Sequence, residues 1–178
     1  MKRWLMTWMM LATIPGRAAA QEAHSPYPHA GSEEIKTLSQ QEVDDLRNAA
    51  GMGLARPAEL NQYPGPRHVL ELADSLALSA EQRRGVEATF ADMQDRAKAL
   101  GMRILQAEKA LDAAFAAGGM TEEALVHAVS EIARLQGELR IVHLRAHLAT
   151  RDALSRHQIL EYDRLRGYAA KHDHGAGA

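Results

Sequence analysis

Two runs of apolar residues spaced at 3.5 leave few folds open to this chain. In the first, Val86, Phe90, Met93, Ala97, Leu100, Ile104, Ala107 and Leu111 recur at steps of four and three. In the second, Leu125, Ala128, Ile132, Leu135, Leu139, Val142, Ala146, Ala149 and Ala153 do the same. That period lays one narrow apolar seam along a helix and pairs it with the seam of another. Between the runs stands Ala117-Gly118-Gly119-Met120-Thr121. The glycines stop one helix, and Thr121 can cap the next. The expected fold is therefore all-α: a long antiparallel hairpin from about 80 to 153, with residues near 97 facing residues near 142. Short helices are expected to pack at its open end.

The amino terminus follows a different plan. Lys2 and Arg3 precede an apolar run from Trp4 to Ile14, Pro15-Gly16 breaks it, and Ala18-Ala19-Ala20 offers a cleavage site. This is the three-part layout of a secretory signal peptide, and the run is short for a bilayer span. Export to the periplasm, with cleavage near Ala20 and no transmembrane segment afterwards, is the expectation. Removal of residues 1–20 leaves 18 basic against 23 acidic residues, or −5 with histidine neutral. An acidic chain argues against nucleic acid as a partner. There is no cysteine, which excludes disulfides, thiolate metal sites and lipidation at an N-terminal cysteine.

Residues 21–62 read as a polar leader with one short helix. Ser39 and Glu42 match a capping box ahead of Val43 and Leu46, and one helical turn is expected near 58–61. Pro64-Gly65-Pro66 is a firm break. A short helix should follow from Pro66 to about Ala77, with Val69, Leu70, Leu72, Ala73 and Leu76 on one face. A helix that short needs the hairpin to support it. A last helix, 156–168, carries Ile159, Leu160, Tyr162 and Leu165 toward the open end. The tail 169–178 is too polar and Gly-rich to order itself.

Two segments repeat a pattern: Leu78-Ser79-Ala80-Glu81-Gln82 opens the first long arm, and Leu154-Ser155-Arg156-His157-Gln158 opens the last helix. With a signal peptide, a short helix and a long hairpin, this arrangement over residues 63–168 resembles the LTxxQ group of bacterial periplasmic proteins. Serine replaces threonine in both copies and caps as well. The group includes Spy/CpxP-type stress chaperones and related heavy-metal-resistance and metal-sensor proteins. The stretch Tyr63 to Leu72 and the segment His143-Leu-Arg-Ala-His147 most resemble the metal-resistance branch.

His143 and His147, at i and i+4, project from one helical face. Two imidazoles so placed can share an ion such as Zn, Ni, Co or Cu. They fall on the flank of the seam, where the short helix 66–77 or a second subunit would cover them; the same spacing also suits two solvated surface histidines. A zincin-type hydrolase is excluded, because Leu144 stands where H-E-x-x-H needs its glutamate. His68, at the start of the short helix, is the next candidate ligand. The metal-sensor resemblance implies histidine from that helix, a carboxylate from the first arm, and histidine or methionine from the second. His68 then fills the first role, Glu87 is the nearest first-arm carboxylate, and His143 with His147 fill the last. The branch's H-x-x-x-H in the short helix is not met, because Leu72 occupies the second place; Glu71 could substitute. Glu71 and Glu87 also suit solvated faces. His172 and His174 form a separate tail cluster, with His24 and His29 at the other end, and such tracts bind metals weakly. Met93 falls on the seam and reads as core.

No Gly-rich phosphate loop, G-x-S-x-G or paired carboxylate marks an enzyme. The expected function is transition-metal binding for heavy-metal sensing or resistance, as a homodimer with a membrane-bound signalling partner. The alternative is an ATP-independent chaperone of the Spy/CpxP type that holds unfolded clients during envelope stress.

Overall fold

The computed structural model describes residues 35–168. The expected signal peptide and His24, His29, His172 and His174 lie outside the described residues. Among the described residues six helices run in order: α1 Gln40–Arg47, α2 Arg56–Glu59, α3 Pro66–Glu71, α4 Ala80–Ala117, α5 Glu122–Ala153 and α6 Arg156–Leu165. Among the described residues no helix is long and apolar enough to cross a membrane.

The hairpin is α4 against α5. At 38 residues, α4 is about 57 Å long at 1.5 Å per residue. Gly118 and Gly119 take positive φ of 73° and 77° to end it, and the Thr121 hydroxyl accepts the Ala124 N–H to start α5. The register is the expected one: Ala97 and Leu100 share a cluster with Leu135 and Leu139, against which Val142 packs.

The two L-S-x-x-Q segments do more than cap. Ser79 with Gln82 and Ser155 with Gln158 each form a complete capping box. The two glutamine amides then bond each other: Gln82 Nε2 donates to Gln158 Oε1 at 2.9 Å, and Gln158 Nε2 donates to Gln82 Oε1 at 3.1 Å. Gln82 Nε2 also reaches the Ala153 carbonyl, and Gln158 Nε2 the Leu76 carbonyl. Helix starts 76 residues apart are thus tied into one polar knot at the open end. Beneath it, Val69, Leu76, Val86, Leu154 and Tyr162 form a second buried cluster.

The short elements depart from the sequence reading in three ways. The helix expected over 66–77 stops at Glu71, and residues 72–77 continue as turns. Val69, Ala73 and Leu76 are nevertheless buried, so the apolar face is used without the helix. In α6 only Tyr162 of the expected apolar face is fully covered, while Leu160 and Leu165 remain exposed. Residues 35–49, read as part of a leader, supply Ile35, Val43, Leu46 and Ala49 to the hairpin's main core. This packing depends on Gly101: a Cβ there would stand 2.1 Å from the Leu46 carbonyl oxygen, so α1 lies directly on the α4 backbone.

Candidate functional site

The buried face of α5 changes course along its length. It runs through Ile132, Leu135 and Leu139, then through His143, Ala146, His147 and Thr150. A strict 3.5 seam would pass through Val142 and Ala149 instead, but Val142 is half-buried and Ala149 exposed. The steps here average nearer 3.6, the natural period of a straight helix. The buried stripe therefore turns onto the histidine flank, where a third layer covers it. That layer is the connector from Glu59 through Pro64-Gly65-Pro66 to the start of α3.

His147 is held by this connector. Its Nδ1 lies 2.7 Å from the Tyr63 carbonyl oxygen. A carbonyl only accepts, so Nδ1 carries the proton and, in the neutral ring, Nε2 presents its lone pair. The Arg151 guanidinium, one turn further along α5, sits 4.6 Å from the Tyr63 ring centroid and helps fix that carbonyl. Gly65 permits the closure: a Cβ there would meet His147 Cε1 at 2.9 Å and Nε2 at 3.1 Å.

His143 is only 3% exposed, and its buried Nε2 has no hydrogen-bond partner. Burial, and then the neighbouring His147, push its pKa below the usual histidine value of 6.5. Both favour the neutral ring. Both histidines line a cavity of about 590 Å³ between α4, α5 and the connector. Phe90, Met93 and Gln94 of α4 line the same space. Arg56, Arg67, His68, Arg166 and Tyr168 line it from the connector and the end of α6. Met93 is thus both core and cavity wall.

Glu59, which sequence reading passed over, organises one side of the site. Its Oε2 accepts the Gly65 N–H at 3.1 Å and stands 3.6 Å from His147 Nδ1. Its Oε1 accepts from the Tyr162 hydroxyl and from Tyr168 at 3.4 Å, with Arg166 3.8 Å away. Burial first, and then Glu59, push the Tyr162 phenol far above its usual range. The chain leading into and through the connector is strained: Ala49, Met52 and Gln62 all take positive φ, between 45° and 65°. Such residues cost on the order of 1 kcal/mol each and persist where surrounding contacts over-determine them.

The candidate ligands divide accordingly. His143, His147 and His68 border one cavity. Glu71 is half-exposed and bonded to His68 Nδ1 at 2.8 Å and Arg67 Nε at 3.0 Å; these partners, His68 first, lower its pKa. Glu87 is exposed on α4 and is not part of the cavity wall. Among the described residues, no three His, Cys, Asp or Glu side chains converge as a ready metal cage. Comparison with family models, curated proteins and solved structures gave no match.

Proposed function

We propose that this protein binds a divalent transition metal at His143 and His147 and serves metal sensing or tolerance in the periplasm, as a member of the LTxxQ group. The observation that carries the reading is the orphaned, buried Nε2 of His143 beside a second imidazole. A neutral ring with an unsatisfied buried nitrogen costs about 1–3 kcal/mol. A Lewis acid satisfies that nitrogen directly. The Nδ1–H to carbonyl bond of His147 is the arrangement that fixes tautomer and ring orientation in metal-ligating histidines. His68, at the cavity's edge, is the third candidate. Metal bound here would tighten the connector onto α5, and a partner reading the connector would sense it.

The test is thermal unfolding with and without Zn, Ni, Co and Cu(II). At a free metal concentration one hundred times the dissociation constant, a specific site stabilises the fold by about 2.7 kcal/mol. That gain should vanish in the His143→Ala/His147→Ala variant. Equal stabilisation of the variant would refute the reading.

A second reading is favoured by the outer face of α5. Val126, Val129, Ile141 and Leu148 are 46–55% exposed along its length, and Phe115 is exposed near the loop. Such a stripe suits a second copy of the chain, or unfolded clients held as by a chaperone. Suppression of client aggregation without metal, unchanged in the double-histidine variant, would favour this reading.

A further inference from the structure

We propose that the histidine site takes its metal together with a small polycarboxylate anion of citrate's size, bound as a chelate that completes the coordination sphere. This rests on the metal reading above and adds what the protein does not itself supply.

The argument is one of charge and space. Beside the two imidazoles the cavity wall carries the Met93 thioether, the Gln94 amide and one carboxylate, Glu59. A divalent ion placed among them carries its full charge into a partly desolvated site, which is costly without an anion. The nearest carboxylate is already engaged. Glu59 accepts the Gly65 N–H, bonds both Tyr162 and Tyr168, and faces Arg166. Glu71 is bonded to Arg67 and His68 outside the cavity. One carboxylate, already facing Arg166, does not balance a doubly charged ion.

The cavity has room for what is missing. About 590 Å³ far exceeds one ion, and it falls within the usual size of small-ligand pockets. Its outer wall is basic. Arg56 lines it with no ion-pair partner among the described residues, and Arg67 lines it through a solvent-exposed pair with Glu71. Exposed pairs of that kind are weak and are readily exchanged for a better-placed carboxylate. A bare carboxylate would not satisfy the inner end, where the Nδ1–H bond to Tyr63 leaves the neutral ring of His147 presenting a lone pair. A bare cation would not satisfy the outer end, where guanidinium groups stand. A metal chelate answers both, with the metal toward the histidines and its free carboxylate toward Arg56 and Arg67.

Equilibrium dialysis of the full chain with Zn²⁺ and radiolabelled citrate tests this. The expected result is citrate retained only when zinc is present, with zinc retention held or raised as citrate is added. The His143→Ala/His147→Ala variant should retain neither at this site. The Arg56→Gln/Arg67→Gln variant should keep zinc binding but lose citrate affinity by about tenfold, the scale of one charge-assisted hydrogen bond. Zinc retained while citrate only strips it away would overturn the chelate and leave the metal site standing. Citrate retained equally without zinc would also overturn it, by revealing a simple anion site. Retention of neither would sink both proposals.

Discussion

The two ends of the hairpin share one apolar repeat and differ in almost everything else. Toward the open end, α4 and α5 bury Val86, Met93, Ala97, Leu100, Ile104, Ile132, Leu135 and Leu139, together with two histidines. From 106 to 131, across the loop, no residue is buried, although Leu111, Leu125 and Ala128 continue the seam. Two helices alone cannot enclose a side chain. Burial begins where α1, the connector, α3 and α6 add a third layer. That layer also excludes water from His143 and His147. A heptad seam therefore specifies pairing, whereas enclosure, and with it any perturbed chemistry, comes from segments distant in sequence.

The contrast predicts unequal costs for equal substitutions. Leu135→Ala removes a side chain that is 2% exposed and should cost about 2–5 kcal/mol. Leu125→Ala, on the same seam but only half-buried, should cost less than about 1 kcal/mol. Urea unfolding of both variants measures this. Equal losses would mean that the loop end is covered as well.

A smaller effect concerns pH. The His143 pKa is lowered on folding, so the unfolded chain binds more protons below about pH 6.5. Stability from this group is fully present above that value and is lost as pH falls toward the folded pKa. The melting temperature should therefore be level with respect to His143 from pH 8 to 7 and fall toward pH 5. His143→Leu should flatten part of that slope, and an unchanged slope would show that the ring is not enclosed. Smaller still, a Cβ at Gly137 would meet nothing within 4 Å. Gly137→Ala should thus stabilise α5 by about 0.5–1 kcal/mol. A loss instead would reveal contacts along that outer face.

Much of this architecture was legible in the chain. The two seams, the glycine break and the capping serines act over a few residues each, and they place α4, α5 and α6. The His143–His147 spacing was equally visible. That their flank could be covered was legible as well, but the cover that forms was not, because it depends on the Tyr63 carbonyl 84 residues earlier and on a glycine that lets the connector close. Glu59 was invisible for the same reason. It sits in a four-residue helix, and its partners Tyr162 and Tyr168 lie 103 and 109 residues away. Leu46 and Ile35 gave too thin a pattern to reveal that they complete the main core. Gly101, inside a 38-residue helix, was a signal of close approach, but an ambiguous one, because Gly85 in the same helix faces open space.

The most direct test of the metal site is a calorimetric titration of the chain with Zn, Ni, Co and Cu(II). It should be run beside the His143→Ala/His147→Ala variant and a His172→Ala/His174→Ala variant that controls for the tail. The account predicts micromolar or tighter binding that survives the tail substitutions and disappears with the hairpin pair. Binding that follows the tail, or that persists without His143 and His147, would contradict it.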